Sequence, residues 1–291
     1  MDAVTQPYSA ADGLVRVYPA EVPDGTGLVW AHGGGFLFGD IDMPESDWVA
    51  RQLADRGSTV VSVDYRLAPV PEGFHEGVTA QPGHPYPAGS DDMVTAWRWT
   101  LTHAAELAIS PSALAIGGTS AGGNLAAGAA LRLAGTHEAP ALVLLAYPTL
   151  LAVQPAPDAE LRAALDAAPD ADRFGPASVL KMYENYLAGP VDDAPLPAVP
   201  GRATASDLTH FPPTFIVNGD VDELRVSAEH FAATLAAAGR DIEIMTEHGT
   251  QHGHLNRPEE PAATLSIERM AGRLAALSPQ LSPTPSEGIA S

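Results

Sequence analysis

The chain contains no cysteine among its 291 residues. This absence excludes disulfide bonds, catalysis by a thiolate and zinc sites that use cysteine ligands. No apolar run approaches the roughly 20 residues that a transmembrane helix needs. Residues 1–7 also lack the basic start and apolar core of a signal peptide. We therefore expect a protein of the cytoplasm.

Basic residues are also scarce. The chain has 15 Lys and Arg and 36 Asp and Glu, which give a formal net charge of −21 at pH 7. A surplus of this size repels phosphate backbones and anionic lipid surfaces. We expect no nucleic-acid partner and no membrane partner, and a small molecule as the substrate. The hydrophobic fraction of 45% is ordinary for a globular protein and can supply a sizeable core.

Short apolar segments alternate with amphipathic segments along the chain. This alternation predicts an α/β fold with a mostly parallel central sheet and helices on both faces. The predicted strands are 14–18, 27–31, 59–64, 113–117, 141–147, 214–218 and 242–246. The predicted helices are 46–55, 91–107, 121–133, 226–238 and 261–277.

One long stretch, 148–213, breaks this alternation. It is rich in Ala, Pro and Asp, carries helical patterns near 159–168 and 177–187, and is too long for a connecting loop. We predict a single domain over 1–277, with a core formed by 1–147 and 214–277 and with 148–213 as an inserted helical cap. The loop 70–83 is predicted to have no stable element, and the Pro/Ser-rich tail 278–291 is expected to be disordered.

A serine between glycines follows the apolar run 113–116. The segment 118–122 reads Gly-Thr-Ser-Ala-Gly, the pattern of a nucleophile elbow, in which a sharp strand-to-helix turn presents Ser120. Glycine relieves the clash that a side chain beside such a turn would cause. The same five residues can also form an ordinary tight turn in an Ala/Gly-rich chain. Other segments of the sequence are therefore needed to distinguish a nucleophile elbow from such a turn.

Three successive glycines, Gly33, Gly34 and Gly35, stand between His32 and Phe36 directly after a predicted strand. Their amides can converge on a small anion because no side chain blocks the approach. The Ala121 amide, at the start of the predicted helix, adds a donor with a favourable partial positive charge. These amides are candidates for an oxyanion hole, and a flexible turn is the alternative.

Three of the ten histidines cluster after the last predicted strand. His252, which Gly253 follows, is the candidate general base, and His248 and His254 are the alternatives. Their spacing is also compatible with a zinc site. A metal site would leave the serine turn and the triglycine loop unexplained, so we expect neither a metal nor a cofactor.

A general base of this kind needs an orienting acid, and three carboxylates follow the predicted strand 214–218. The sequence does not place the acid uniquely among them. Asp222 lies just ahead of a predicted helix and could reach the ring N–H of His252. Asp220 and Glu223 are expected to cap that helix or to face solvent.

These segments, in this order, resemble the hormone-sensitive-lipase-like branch of the α/β-hydrolase superfamily, the bacterial carboxylesterases. The resemblance runs from about residue 27 to 275 and rests on His-Gly-Gly-Gly-Phe at 32–36, Asp-Tyr-Arg-Leu-Ala-Pro at 64–69, His-Pro-Tyr-Pro-Ala at 84–88, Gly-Gly-Thr-Ser-Ala-Gly-Gly-Asn at 117–124, Asp-Glu-Leu-Arg at 222–225 and His-Gly at 252–253. It implies Ser120 as nucleophile, His252 as base and Asp222 as acid. It also implies an oxyanion hole built from the Gly33–Gly35 and Ala121 amides.

The resemblance further implies hydrolysis of a carboxylic ester through an acyl-enzyme, with short-acyl or small esters as substrates. Lactone or amide hydrolysis by the same groups and a non-catalytic receptor for a small ligand are the alternatives. His254 stands where the family usually has phenylalanine, and we expect Phe36 and His254 to contact the substrate. Relatives of this kind are monomers or homodimers, and the same is expected here.

Overall fold

Eight strands form one sheet in the computed structural model, which describes residues 6–73 and 79–279. The strands are β1 (Tyr8–Ala10), β2 (Val15–Tyr18), β3 (Gly27–Ala31), β4 (Thr59–Val63), β5 (Leu114–Thr119), β6 (Leu142–Ala146), β7 (Thr214–Val221) and β8 (Ile242–Gln251). Their order across the sheet is β1-β2-β4-β3-β5-β6-β7-β8. The β1–β2 and β2–β4 pairs are antiparallel, and every later pair is parallel.

Helices cover both faces of this sheet. They are α1 (Asp47–Ala54), α2 (Ala88–Thr102), α3 (Ser120–Leu133), α4 (Ala159–Ala167), α5 (Pro176–Leu187), α6 (Arg225–Ala237) and α7 (Pro261–Ala275). Buried side chains of α1 and α7 pack in one apolar cluster, and those of α2, α3, α5 and α6 pack in another on the opposite face. The predicted α/β fold, a mostly parallel sheet with helices on both faces, is confirmed. In the described part of the chain, no helix is both long and apolar enough to cross a membrane.

The central strands are buried along their whole length. Every residue of β3, β4, β5 and β6 is buried, which is the pattern of strands covered by helices on both sides. For this reason their apolar runs predicted these strands well, to within two residues at each end.

The edges of the sheet differ more from the prediction. β1 was not predicted, because it pairs at an edge and Tyr8 and Ser9 are exposed, which leaves no apolar pattern. β7 and β8 run past their predicted ends, since their mutual pairing continues through polar residues and, after a bulge, joins Val221 to Gln251.

Among the helices, α2 begins at Ala88 and ends at Thr102, whereas the spacing predicted a helix over 91–107.

The segment between β6 and β7 contains α4 and α5 and is anchored to the core. Val179 and Tyr186 of α5 are buried in the same cluster as α3. The Tyr183 hydroxyl accepts a hydrogen bond from Asn124 Nδ2 at 2.9 Å and donates one to the Thr149 carbonyl at 2.9 Å. The first bond joins α5 to α3, and the second joins α5 to the chain just after β6. The division of the domain into a core and a cap at 148–213 stays a prediction.

Two other predicted segments fall partly outside the described residues. In the loop 70–83, Val70 and Gln81 form an isolated antiparallel bridge, and 74–78 lie outside the described part. The tail predicted to be disordered, 278–291, lies outside it from residue 280 onward. Within the described part, the Ser278 hydroxyl donates to the Asp24 carbonyl at 2.7 Å.

The junction of β5 and α3 passes very close to the end of β3. A Cβ atom added to Gly122 would lie 2.2 Å from the Ala31 carbonyl oxygen and 2.3 Å from that of His32. A Cβ on Gly118 would lie 2.5 Å from the Gly122 backbone. Glycine is required at both positions because the neighbouring atoms are backbone and cannot move aside.

We predict that Gly122→Ala lowers the free energy of unfolding by about 2–3 kcal/mol, because the added methyl group overlaps two carbonyl oxygens. Gly272→Ala is the matched control, since Gly272 is also helical but has open space around its Cβ position. That control should be neutral or more stable by up to about 1 kcal/mol. Urea unfolding of both variants measures the difference, and equal stability of the two would contradict the close approach.

Candidate active site

Ser120 is the first residue of α3 and lies at the carboxyl end of β5. Its φ of +48° is in the left-handed region, while Thr119 before it is extended. A non-glycine residue in this region is strained and persists only where its surroundings hold it. The turn therefore has the geometry that the segment 118–122 predicted, and the serine side chain lies at the end of the sheet.

A chain of two hydrogen bonds runs from this serine to a buried carboxylate. Ser120 Oγ lies 2.9 Å from His252 Nε2, and His252 Nδ1 lies 2.8 Å from Asp222 Oδ2. The other carboxylate oxygen, Oδ1, accepts a hydrogen bond from the Leu224 amide at 2.9 Å. The three side chains come from the ends of β5, β7 and β8, which meet at one edge because these strands are parallel. All three residues are buried, and Asp222 is completely so.

The other two histidines of the cluster have different surroundings. His248 is exposed over 93% of its side chain. His254 is fully buried, and its Nε2 lies 2.8 Å from the Ser266 hydroxyl. Burial lowers the pKa of His254 to about 4, so that its ring is neutral at pH 7. The structure thus brings His252, and neither alternative, to Ser120.

The remaining two carboxylates also lie away from the base. Asp220 accepts a hydrogen bond from the Gly249 amide at 3.0 Å. Glu223 was expected to cap the helix or to face solvent, yet it is 3% exposed, and burial raises its pKa. Its buried position follows from packing beside the segment that carries Asp172 and Gly175. Among the described residues, no three His, Cys, Asp or Glu side chains are arranged to hold a metal ion.

Two of the three loop glycines present free amides to the serine. Gly34 and Gly35 have φ values of +105° and +61° and line the same cavity as Ser120. Their amides have no hydrogen-bond partner within the described residues. The Ala121 amide belongs to the first turn of α3, where amides have no partner in the helix. The Gly33 amide differs, because it donates to Glu45 Oε1 at 2.7 Å, so its predicted place in an oxyanion hole is corrected.

Glu45 connects this glycine loop to two other parts of the site. Its second oxygen accepts a hydrogen bond from the Tyr147 hydroxyl at 2.9 Å, and its backbone amide donates to Asn256 Oδ1 at 3.2 Å. Glu45 is 2% exposed, and burial together with the Glu45 charge raises the pKa of Tyr147 well above its usual value. Glu45 thus joins the glycine loop and the end of β6 through its carboxylate, and the loop that follows His252 through its backbone amide.

The start of the same loop is held by an aromatic contact. The rings of His32 and Tyr65 are stacked with centroids 4.4 Å apart. The Tyr65 hydroxyl donates to the carbonyl oxygens of His32 and Gly33, at 2.9 and 3.0 Å. Burial lowers the pKa of His32 to about 4, which keeps the ring neutral at pH 7. His32 therefore serves to position the loop backbone.

A cavity of about 430 Å³ opens above Ser120. Its walls are mostly apolar and come from the glycine loop, the segment between β6 and β7, and the loop after His252. The lining residues are Gly34, Gly35, Leu37, Phe38, Met43, Glu45, Ser120, Arg173, Phe174, Ser178, Val179, Met182, His252, Gly253, Asn256 and Arg257. A concave, apolar site with a few convergent polar groups is typical of a small-molecule site.

A model of the α/β-hydrolase fold family matches residues 28–256, which is most of the chain. The chain belongs to this family. It is 40% identical over 257 residues to the carboxylesterase NlhH of Mycobacterium tuberculosis, a match that covers 84% of this chain and 73% of that protein.

Solved structures of other α/β hydrolases are similar along nearly the whole chain. The esterase LipW of Mycobacterium marinum is 30% identical with a TM-score of 0.74, covering 94% of this chain and 80% of the other. Brefeldin A esterase, described as a bacterial homologue of human hormone-sensitive lipase, is 27% identical with a TM-score of 0.73 and covers 94% and 76%. The resemblance to the hormone-sensitive-lipase-like carboxylesterases is thereby confirmed.

Two side chains expected to contact the substrate of this α/β hydrolase do not reach the cavity. Phe36 is 1% exposed and stacks on Tyr186 with ring centroids 4.0 Å apart. His254 is turned toward Ser266. Both expectations are corrected by this placement, because the two side chains are buried in the protein interior and neither lines the cavity. The aromatic ring beside the base is instead Phe174, 4.5 Å from the His252 ring.

Sequence reasoning did not single out Glu45, Phe174, Arg173 or Asn256. The hydrogen-bond partners of Glu45 lie 12, 102 and 211 residues away along the chain, so no local pattern signals it. Phe174 and Arg173 lie in the long segment before β7, whose composition predicts little. For Asn256 the sequence does contain a signal, because this residue follows the candidate base His252 by only four positions, in the loop beyond β8.

We predict that Glu45→Ala lowers the free energy of unfolding by about 2 kcal/mol, because it leaves the Gly33 amide and the Tyr147 hydroxyl without their acceptor. Glu45→Gln is the control, since its amide oxygen can still accept from Gly33. It should therefore recover part of the loss. Urea unfolding of both variants against wild type measures the effect. Equal losses in the two variants would show that the hydrogen bonds of Glu45 do not stabilise the loop.

Proposed function

We propose that this protein, a serine ester hydrolase by its family, cleaves carboxylic esters through an acyl-enzyme formed on Ser120. The observation that carries the proposal is the continuous chain of hydrogen bonds from Ser120 through His252 to Asp222, at a cavity of small-molecule size. A serine hydroxyl is a weak nucleophile at neutral pH and needs such a base to activate it. Relatives named carboxylesterase and esterase support the same reaction.

In the first half of the proposed reaction, Ser120 Oγ attacks the ester carbonyl carbon while His252 Nε2 takes its proton. Asp222, hydrogen-bonded at Nδ1, holds the ring in the required orientation and stabilises the imidazolium that forms. The negative charge that develops on the carbonyl oxygen is bound by the free amides of Gly34, Gly35 and Ala121.

The tetrahedral intermediate then collapses as His252 returns its proton to the alkoxide oxygen, and the alcohol leaves. A water molecule next attacks the acyl carbon, with His252 accepting a proton from it. The proton passes to Ser120 Oγ when the acid departs, and the free enzyme is restored. Each step uses the same nitrogen, Nε2, which is the ring nitrogen that faces Ser120.

We also propose that the segment 148–213 acts as the cap of the active site. It contributes Phe174, Val179 and Met182 to the cavity wall.

Cytoplasmic location and a monomeric or homodimeric state stay predictions from the sequence. The same groups can open a lactone or an amide, and a panel with matched ester, lactone and amide substrates separates these reactions.

Replacing Ser120 by Ala should lower kcat/KM for p-nitrophenyl butyrate by at least roughly 10⁴-fold, because no nucleophile remains. Ser112→Ala, at an exposed serine, is the control and should match wild type. A fluorophosphonate probe should label wild type at Ser120, as located by peptide mass, and should leave Ser120→Ala unlabelled. Full turnover by a folded Ser120→Ala protein would contradict the mechanism and favour a receptor or another catalytic group.

Among p-nitrophenyl esters of increasing acyl length, kcat/KM should be highest for acetate or butyrate. A cavity of about 430 Å³ lies in the lower part of the size range of ligand pockets and must also hold the alcohol group. The measurement is a series from acetate to laurate, at concentrations below the solubility of each ester. A maximum at decanoate or laurate would refute the preference for small esters.

A further inference from the structure

A guanidinium with no ion-pair partner among the described residues lies at the cavity of this strongly acidic protein. The formal net charge is −21, yet two arginines, Arg173 and Arg257, line the wall. Arg257 is paired with Glu260 in the next turn of the chain. Arg173 makes no ion pair with any carboxylate in the described part of the chain. Its charge is therefore available to a ligand in the cavity.

The nearest carboxylate in sequence does not neutralise Arg173. Asp172 forms an ion pair with Arg162 at 2.6 Å, and Arg162 also pairs with Asp166. Glu45, the carboxylate that lines the cavity, accepts hydrogen bonds on both of its oxygens, from the glycine loop and from Tyr147. Each of these carboxylates is therefore occupied by another donor.

The position of Arg173 relative to the reacting groups follows from two ring contacts. Its guanidinium lies 5.8 Å from the centroid of the Phe174 ring. That centroid lies 4.5 Å from the centroid of the His252 ring, so the charge is no more than roughly 10 Å from the base. The backbone beside it is held in place, since the Phe174 carbonyl accepts a hydrogen bond from Gln154 Nε2 at 3.2 Å.

We propose that Arg173 is a specificity-determining residue that binds a carboxylate carried by the ester substrate. The proposal rests on ester hydrolysis at Ser120 and adds the chemical class of the ester, one with an anionic group a few bonds from the scissile carbonyl. A guanidinium suits this task because it is always charged and its donors match a carboxylate in a bidentate arrangement. The cavity side of Phe174 supplies the apolar surface along which the chain between ester and carboxylate would lie.

The carboxylate can stand on either side of the ester bond, and two substrate pairs distinguish the sides. Mono-p-nitrophenyl adipate and p-nitrophenyl hexanoate differ in a carboxylate on the acyl side. The butyrate esters of 4-hydroxybenzoate and 4-hydroxybenzamide differ in a carboxylate on the alcohol side. For each pair, the measured quantity is the ratio of kcat/KM for the anionic ester to that for the neutral ester, after subtraction of the enzyme-free rate.

Arg173→Gln should lower this ratio by roughly two- to fivefold in at least one pair, the range expected for a partly exposed ion pair. Arg98→Gln is the matched control, since it removes the same charge at an exposed arginine on α2 that pairs with Glu138, and it should leave both ratios unchanged. Arg173→Lys keeps the charge and should retain most of the wild-type ratio. Added NaCl should reduce the wild-type ratio more than that of Arg173→Gln.

Three results would overturn the proposal. In the first, the ratio of kcat/KM in Arg173→Gln equals that of wild type for both substrate pairs. In the others, the ratio falls equally in Arg173→Gln and Arg98→Gln, or the ratio in Arg173→Lys is as low as in Arg173→Gln. The equal fall would show that the overall field of the acidic protein, and no local site, discriminates against anions. A failure of the proposed ester hydrolysis is distinguishable, because wild type would then turn over neither p-nitrophenyl hexanoate nor the neutral butyrate ester.

Discussion

The site depends on the close approach of the β5–α3 turn to the end of β3. Carbonyl oxygens of Ala31 and His32 come within 2.3 Å of where a Cβ of Gly122 would stand. This contact places the glycine loop directly beside Ser120, whose left-handed φ of +48° is held by the packed turn around it. The nucleophile and the free amides of the glycine loop are thus set by one backbone contact, and a side chain at Gly122 would disturb both together.

A second constraint is the pairing of two buried carboxylates, Glu45 and Asp222, near the edge where the parallel strands end. Glu45 holds the glycine loop, Tyr147 and the loop after His252 in one network, while Asp222 divides its two oxygens between His252 and the Leu224 amide. Buried acceptors that are fully paired rigidify a site, whereas partly paired ones are costly. Both oxygens of Glu45 and of Asp222 are paired, so these two carboxylates restrain the glycine loop and the His252 ring.

Charge is distributed differently on the floor and on the outer wall of the cavity. At the base of the cavity, Glu45 accepts hydrogen bonds on both oxygens, and His252 is hydrogen-bonded through both ring nitrogens. The wall contributed by the segment before β7 carries the guanidinium of Arg173 next to the ring of Phe174. In the proposed reaction, the ends of β5, β7 and β8 supply the reacting groups. The segment between β6 and β7 supplies much of the cavity wall, and the selectivity proposed for Arg173 would therefore reside in a separate part of the chain.

From the sequence by itself, the buried strands, the serine turn and the glycine loop could be predicted, because each depends on residues that are adjacent in the chain. Sequence reasoning also selected Asp222 among three carboxylates and His252 among three histidines, partly by family resemblance. The residues that these hydrogen bonds join lie 30 and 132 positions apart along the chain, and only the folded sheet brings Asp222, His252 and Ser120 together. The tertiary structure likewise decided that Glu45 occupies the Gly33 amide and that Phe36 and His254 pack behind the wall. These outcomes depend on burial and on hydrogen bonds between distant segments, and local spacing does not encode them.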